Sequence, residues 1–422
     1  MKKNILINFF CLCFFYIILL TLFIDDLTGI LSLSFVILVT LIIIKFHPPV
    51  GSILFVSLVI RVFVIFLGNI FTLPDYGSDT IAFEHEAFLM SKEGFSKTLS
   101  YYPGPTSSFI VWLVAILYSL FGRSLLMAQS LSLFFGIGSV FLGWLLAKKI
   151  WGDDIAKKAG WVLALFPTLV LYSALLLREV YCVFFLLVAI FGVFNWVRTG
   201  ELKSILLALF GFISATFFHG GMIVGGIVFL LVVGLKYIKH FFILLLSNRI
   251  SLKNLLIVTL VLFISIIYAS NKIKIPKLGT LEQSLSIDRL VKHTNITTRS
   301  DASYPEWTKI NSVSELIYKA PIRVIYFLFS PFPWDIKKLS HLAGSLDSIL
   351  YMTLIFLILR SRKVIWEDPA LRFILIILIS YFFVFGIGVG NFGTGIRHRS
   401  KFVIGLILLA APYIPKLRLS KK

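Results

Sequence analysis

Residues 50–70 read VGSILFVSLVIRVFVIFLGNI, an apolar run whose one charged side chain is Arg61. An α-helix of about 20 apolar residues is long enough to cross the hydrocarbon core of a bilayer. The whole chain of 422 residues has a similar character, since 59% of it is hydrophobic, 14% is charged and its mean hydropathy is +0.96. Soluble domains are about 45–50% apolar and about 25% charged. The composition excludes a soluble enzyme, a disordered protein and a disulfide-stapled secreted domain, and it predicts an all-α polytopic membrane protein.

Other apolar runs flank this stretch on both sides. The predicted spans are, roughly, 5–24, 29–46, 50–70, 124–147, 159–177, 180–197, 203–219, 221–239, 254–270, 341–360, 371–390 and 402–415. Two further stretches, 106–121 and 320–333, are ambiguous. The first span is predicted to be a retained signal anchor, because no small-x-small cleavage site precedes Asp25. The sequence therefore predicts about 12 transmembrane helices plus interfacial helices.

Basic residues between the runs set the predicted orientation, since cytoplasmic loops carry an excess of Lys and Arg. With Lys2 and Lys3 inside, segment 71–105 faces outside with a net charge of −3, from five acidic and two basic residues. If 106–121 is a short interfacial helix, every later basic cluster from 148–158 onward falls inside. At 1.5 Å per residue, a helix over 106–121 reaches only about 24 Å, which is short for a span. We therefore expect both termini in the cytoplasm and the chemistry on the external face.

The net charge of +20 usually indicates nucleic acid, but here the basic residues form short clusters between apolar runs. That pattern is typical of topology signals and contacts with membrane lipids, so no nucleic-acid partner is expected. The three cysteines, Cys11, Cys13 and Cys182, lie inside apolar runs and predict neither disulfides nor a metal site. No P-loop or nucleotide-binding glycine pattern is present, so ATP and nucleotide-sugar donors are not expected.

Acidic and basic residues at predicted external junctions are the candidates for chemistry. Asp79, with Asp75 as a rival, is a candidate general base that takes the proton of an attacking hydroxyl. Helix capping is the alternative role for Asp79. Arg178 is a candidate bidentate phosphate ligand, and Glu179 would orient it or bind substrate. The alternative for this pair is a self-paired helix end at the lipid headgroups.

Further candidates lie in later segments. His219, followed by two glycines, would donate to a phosphate or a sugar hydroxyl; a structural interface histidine is the alternative. Arg397, His398 and Arg399 follow three glycines on the predicted outer side, where basic residues break the topology rule. We expect a flexible backbone there that binds phosphate, with headgroup anchoring as the alternative.

Three other features complete the predicted outer face. Segment 271–319 is polar and basic and is expected to cover an external cavity as a partly ordered lid. Trp334, after two prolines, suits the headgroup layer or stacking on a sugar ring. Arg61 is expected to snorkel outward or to meet a lipid phosphate.

The region from Asp79 to Trp196 resembles the N-terminal module of the C-type (GT-C) integral membrane glycosyltransferases, which include aminoarabinose transferases and protein O-mannosyltransferases. The resemblance is carried, after Asp79, by YPGP at 102–105, LFGRS at 120–124, LAKKIWG at 146–152, LFP at 165–167 and the stretch 172–179. It implies that Asp79 is the general base and Glu179 the second acidic residue. The family's first motif is often a paired Asp-Glu, whereas Asp79 is followed by Thr80, which keeps Asp75 as a rival. The family includes metal-dependent and metal-independent members, so a divalent metal is left open and no other cofactor is expected.

Arg178 and His219, with a long external loop and external arginines, also resemble O-antigen and exopolysaccharide polymerases. That resemblance implies an undecaprenyl-diphosphate-linked oligosaccharide as substrate. A flippase of the same lipid-linked oligosaccharide is a third hypothesis; it would need charged residues well inside spans, and Arg61 alone approaches that.

Together these features predict a GT-C-like glycosyltransferase of the bacterial inner (plasma) membrane, acting in cell-surface polysaccharide synthesis. Its expected partners are a polyprenyl-phosphate-linked sugar or oligosaccharide, a saccharide acceptor and membrane lipids. The predicted domains are an N-terminal transmembrane hairpin at 1–49, a catalytic membrane module at 50–240 with external loop 71–105, and a C-terminal membrane module at 241–422 with external loop 271–340.

Overall fold

The computed structural model describes residues 25–71, 73, 79–246, 255, 259, 302–337 and 339–415. Within these ranges the regular elements are α-helices and short 3₁₀ turns, and the β-type contact is an isolated bridge between Ser303 and Asn391. The all-α fold class is therefore confirmed. The predicted span 5–24 and nearly all of 254–270 lie outside the described residues.

The described residues form seventeen α-helices. They are α1 Leu27–Phe46, α2 Gly51–Ile70, α3 Ile81–Ser91, α4 Phe95–Ser100, α5 Phe109–Phe121, α6 Leu125–Trp151, α7 Asp153–Leu165, α8 Pro167–Tyr172, α9 Glu179–Thr199, α10 Leu202–Phe218, α11 Ile223–Leu246, α12 Val313–Phe329, α13 Leu339–Arg360, α14 Arg362–Glu367, α15 Pro369–Gly388, α16 Phe392–Ser400 and α17 Val403–Ala410. Side-chain caps fix several starts. Asp26 accepts from the Gly29 N–H at 2.8 Å before α1, and Asp368 accepts from the Ala370 N–H at 2.8 Å before α15.

Six helices of the described part are long and apolar enough to cross a membrane. They are Leu27–Phe46, Pro48–Gly68, Leu125–Trp151, Glu179–Thr199, Gly220–Lys239 and Pro369–Gly388. The chain is therefore a multi-pass membrane protein, whereas the predicted number of about 12 spans is not confirmed. Helix α5 has 13 residues and measures about 20 Å, short of the hydrocarbon thickness. Its placement as an interfacial helix stays a prediction.

Contacts divide the chain into two compact units. The first unit comprises Met1–Pro103, Ser108–Phe141 and Ala164–Val180, and the second comprises Gly104–Ser107, Leu142–Leu163 and Tyr181–Lys422. In the first unit α1 packs against α2, α2 against α8, and α3 and α4 against α5. In the second unit α15 packs against α11 and α12, and α13 packs against α17.

The predicted continuous span 159–177 is wrong. Helix α7 ends at Leu165, Phe166 is extended with ψ 120°, and α8 runs only from Pro167 to Tyr172. Residues 173–178 then form turns and bends before α9 begins. A proline has no N–H to continue the helix ladder, which a hydropathy window does not detect. Because irregular backbone within a membrane must be satisfied by protein, this break needs partners from neighbouring helices.

The flexible glycine-rich loop predicted before Arg397 is also wrong, because that segment is helix α16. Asn391 caps it by accepting a hydrogen bond from the Thr394 N–H at 2.8 Å. Gly395 is needed for close packing, since a Cβ there would lie 2.9 Å from the hydroxyl of Tyr304. The cap and this packing offset the poor helix propensity of the glycines.

Candidate active site

Asp79 and Thr80 form the π-helical segment that leads into α3, in the first unit. Asp79 is partly exposed, whereas Thr80 is 1% exposed. Thr80 is the residue that precedes α3, and no side-chain cap is made there. Its Oγ1 is buried without a hydrogen-bond partner among the described residues. The rival carboxylate, Asp75, lies outside the described residues.

Arg178 comes close to the start of α3. Its guanidinium carbon lies 5.6 Å from the centre of the Phe83 ring, within the range of a cation–π contact. Phe83 also packs on the buried cluster of Tyr172, Leu175 and Leu177. Asp79 lies four residues before Phe83 in the chain, two residues ahead of the first residue of α3. The first unit therefore brings the Asp79 and Arg178 segments together, although nearly 100 residues separate them in sequence.

Glu179 is the first residue of α9 and is 0% exposed. A carboxylate at a helix N-terminus is stabilised by the positive end of the helix dipole. Its position next to Arg178 places a second carboxylate beside the segment that contacts Phe83. The first unit thus combines two acidic residues and one arginine, two of which, Asp79 and Arg178, are less than fully buried.

Arg61 donates hydrogen bonds to the broken segment within the predicted span 159–177. The residue is 1% exposed, so the expectation that it snorkels outward is wrong. Its Nε donates to the Ser173 hydroxyl at 2.8 Å, and its Nη1 donates to the carbonyl of Ala164 at 2.8 Å and to the Ser57 hydroxyl at 2.5 Å. Ala164 lies in the last turn of α7, where carbonyls lack helical donors. Arg61 therefore holds the broken segment that ends at Arg178.

Glu84 and Arg123 form an ion pair that the sequence analysis missed. Arg123 donates from Nε and Nη2 to the two carboxylate oxygens of Glu84 at 2.9 and 2.8 Å, and the Tyr118 hydroxyl donates at 3.2 Å. The hydrogen bond from Arg123 holds the pKa of Glu84 below its usual value. The pair fixes α3, and hence the π-helical segment at Asp79, against α5. No local signal reveals it, because 39 residues separate the partners.

In the second unit, His219 lies close to α16. Its ring centre is 4.9 Å from that of His398, and its Nδ1 accepts from the Gly221 N–H at 3.2 Å. Lys401 Nζ lies 2.8 Å from His398 Nδ1 and is 0% exposed. Two separately predicted candidates, His219 and His398, are therefore brought together, and Lys401 lies beside them.

Arg399 is fully buried and bonded within the second unit. Its Nε and Nη2 donate to one oxygen of Asp347 at 2.9 and 2.7 Å, and Nη2 also donates to the Ser348 hydroxyl at 3.0 Å. Nη1 donates to the carbonyls of Leu328 and Ser330 at 2.9 and 2.7 Å. All five N–H groups of a guanidinium are thereby used. This geometry favours a structural role over phosphate binding.

The other two predicted ligands of the second unit differ in exposure. Arg397 is half-buried on α16, next to His398. Trp334 is 70% exposed and stacks on Phe332, with ring centres 4.9 Å apart and planes 10° from parallel. An exposed indole supported in this way offers one face to a partner, which suits either a headgroup or a sugar ring.

Arg323 is another buried arginine of the second unit, and the sequence analysis missed it. It is 0% exposed and donates to the carbonyls of Thr308, Gly386 and Val389 at 3.2, 3.3 and 2.6 Å. It joins α12 to the end of α15, close to where α16 begins. Within the described ranges, no three His, Cys, Asp or Glu side chains are placed together to hold a metal ion.

Comparison with known proteins gives one similarity of limited extent. The chain is 33% identical over 106 residues to a Bacillus subtilis (strain 168) protein described as "Putative mannosyltransferase YkcB". The matched region covers 25% of this chain and 14% of that protein, so the chain spans about one seventh of the relative's length. No family model matches the chain, and no solved structure matches it.

Proposed function

We propose that this chain is an integral membrane glycosyltransferase that takes sugar from a polyprenyl-phosphate donor at the external face of the plasma membrane. The product would be a cell-surface polysaccharide such as O-antigen, capsule or exopolysaccharide. The observation that carries the proposal is the approach of Arg178 to Phe83, which joins the segments of Asp79, Arg178 and Glu179 in the first unit. The similarity to a protein described as a mannosyltransferase supports the same class of reaction.

The first unit offers the groups that the reaction requires. Asp79 takes the proton of an acceptor hydroxyl as that oxygen bonds to the anomeric carbon of the sugar. The bond from the anomeric carbon to the phosphate oxygen breaks, and the polyprenyl phosphate leaves with the electron pair. Arg178 holds the phosphate and stabilises the charge that grows on it. Glu179, buried at the start of α9, orients Arg178 or the sugar.

The charges of the loops support an external site. The connection between α6 and α7 is flanked by Lys148, Lys149, Lys157 and Lys158, as expected of a cytoplasmic loop. Segment 71–105, which carries Asp79, is acidic overall. Introduced cysteines near Asp79 should therefore react with an impermeant thiol reagent added outside intact cells. Labelling of this segment only after the membrane is made permeable would contradict the external assignment.

The test of the catalytic proposal is the release of prenyl phosphate as the purified protein transfers the sugar of a short-chain prenyl-phosphate mannose to an added saccharide acceptor. Replacing Asp79→Asn should lower the rate by about 10²–10⁴-fold, the usual contribution of a general base. Glu86→Gln is the matched control, because Glu86 is an exposed carboxylate on α3. A wild-type rate for Asp79→Asn, with Asp75→Asn inactive, would transfer the role of base to Asp75.

The polymerase is the second candidate, and a particular observation favours it. His219, His398 and Lys401 form a close group in the second unit, with Arg397 beside them. Four donor side chains, of which Lys401 and Arg397 are cationic, suit a diphosphate better than a single phosphate. Deletion of the gene in the native host separates the candidates: one short repeat unit without a ladder indicates a polymerase, and a normal ladder whose units lack one sugar indicates a transferase.

A further inference from the structure

Gln129, on α6 in the first unit, is a buried amide that the fold leaves unused. The residue is 1% exposed, and neither its Oε1 nor its Nε2 has a hydrogen-bond partner among the described residues. Native proteins satisfy the large majority of buried side-chain polar atoms, because an unpaired one is costly. A glutamine that offers both an acceptor and two donors to an interior without partners therefore indicates a polar ligand.

Two contacts made near the ends of this part of α6 locate the Gln129 amide relative to the candidate site. Gly136 is seven residues further along α6 and so on almost the same side of the helix, about 10 Å away along its axis. A Cβ at Gly136 would lie within 3.0 Å of the Ser173 side chain, so this side of α6 faces the broken segment that leads to Arg178. The start of α6 follows Arg123, which is bonded to Glu84 on α3. Gln129 lies between these two contacts along the chain.

Another atom of the first unit is left without a partner in the same way. Thr80 Oγ1, next to Asp79, is buried without a hydrogen-bond partner in the described part of the chain. Together with the Gln129 amide it provides donors and acceptors on two separate segments. A monosaccharide, whose hydroxyl groups both donate and accept, matches such a set better than a phosphate, which only accepts at its charged oxygens.

We propose that Gln129 hydrogen-bonds a hydroxyl of the transferred sugar and is thereby a specificity-determining residue. This inference rests on the proposed function, since it assigns the sugar subsite of the same reaction. Gln129 touches neither the phosphate nor the attacking oxygen; it selects among sugars by pairing with one hydroxyl. A sugar that lacks this hydroxyl leaves the amide unpaired and binds less well.

The experiment compares wild type and Gln129→Met with short-chain prenyl-phosphate mannose and its 2-, 3-, 4- and 6-deoxy analogues. Loss of one or two hydrogen bonds should lower kcat/KM of the variant on the parent sugar by about 10- to 100-fold. On the one analogue that lacks the contacted hydroxyl, variant and wild type should turn over equally. Without donor, the Tm of the variant should equal or exceed that of wild type, because the amide has no partner in the free protein.

Ser130→Ala is the matched control. Ser130 is also 1% exposed, but its hydroxyl donates to the Leu126 carbonyl of its own helix at 2.7 Å. It should leave every kcat/KM unchanged. Gln129→Asn, which shortens the amide without removing it, provides a second variant if the methionine protein does not fold, with the same analogue pattern expected.

Three results would overturn the inference while leaving the proposed function intact. They are an unchanged kcat/KM, an equal loss on all analogues, and a lowered Tm without donor, which would show that the amide supports the fold. Failure of the wild-type protein to turn over any of these donors would instead overturn the proposed function, and the inference with it.

Discussion

Replacing the buried pair of Arg399 and Asp347 tests whether this arginine serves the fold or the substrate. The two side chains are 0% and 5% exposed, so little solvent screens their interaction. Asp347→Asn leaves the guanidinium buried without its counter-charge, which typically costs about 3–5 kcal/mol. Arg399→Met leaves the Asp347 carboxylate buried without its counter-charge. It also removes the guanidinium donor from the carbonyls of Leu328 and Ser330. The Leu328 carbonyl loses its donor, which adds about 1–3 kcal/mol, whereas the Ser330 carbonyl still accepts from the Ser348 hydroxyl at 2.8 Å.

The order of stability follows from these values. Arg399→Met should be the most destabilised variant, at about 5 kcal/mol or more, which is comparable to the whole stability of many proteins. The double variant Asp347→Asn with Arg399→Met should recover part of this loss, because no charge stays buried alone. Arg399→Lys keeps the charge but loses the fork that reaches Asp347 and both carbonyls, so it should fall between wild type and Arg399→Met.

The assay is denaturant unfolding in mixed detergent micelles, followed by tryptophan fluorescence and combined as a double-mutant cycle. A coupling energy of at least about 2 kcal/mol is expected for a contact of this kind. Phosphate binding by Arg399 predicts the opposite result: Arg399→Met would unfold like wild type and lose only donor turnover. Additive effects of the two single variants would likewise refute the ion-pair argument.

Two further predictions concern the first unit. Because the folded-state pKa of Glu84 is lowered, its pairing with Arg123 stabilises the protein above the usual pKa of a glutamic acid and is lost as the pH falls through the folded value. Glu84→Gln should cost about 1 kcal/mol at pH 7, allowing for the half-exposed Arg123, and progressively less as the pH falls below the usual range of a glutamic acid; a Tm difference from wild type that does not change with pH would contradict this. Arg61→Met should cost about 1–3 kcal/mol for the Ala164 carbonyl, which loses its donor, whereas the Ser173 hydroxyl still donates to the Val170 carbonyl; a Tm equal to that of wild type would show that the break is held by other groups.

Part of the fold can be predicted from local sequence, and part depends on features that local sequence patterns do not register. Apolar runs such as 50–70 fix the helices that cross the membrane, because length and hydropathy are properties of the run itself. The break after Leu165 was missed because a hydropathy average does not register the absent N–H of Pro167. Glycine content predicted a flexible loop before Arg397, whereas the cap from Asn391 and packing make a helix.

The candidate site shows the same division. Asp79, Arg178 and Glu179 stand out because ionisable residues at the ends of apolar runs are costly unless used. The ion pair of Glu84 with Arg123 could not be predicted, since its partners are 39 residues apart and each is ordinary in its own segment. Gln129 gave no signal either, because a glutamine in an apolar run looks like a tolerated polar residue until its amide is seen without partners.

The bonds of Arg61 also set a requirement on how the protein is made. An arginine at the centre of an isolated span costs about 2.5–3.5 kcal/mol to insert into the bilayer. Ser57 is on the same helix and is available at once, but Ser173 follows Arg61 by 112 residues. At about 5–20 residues per second, the ribosome delivers that partner some 6–22 s after Arg61 itself. During this interval the hydroxyl and carbonyl of Ser57 are the acceptors on α2 itself that hydrogen-bond the Arg61 guanidinium. We therefore expect Ser57 to support membrane insertion as well as the finished fold.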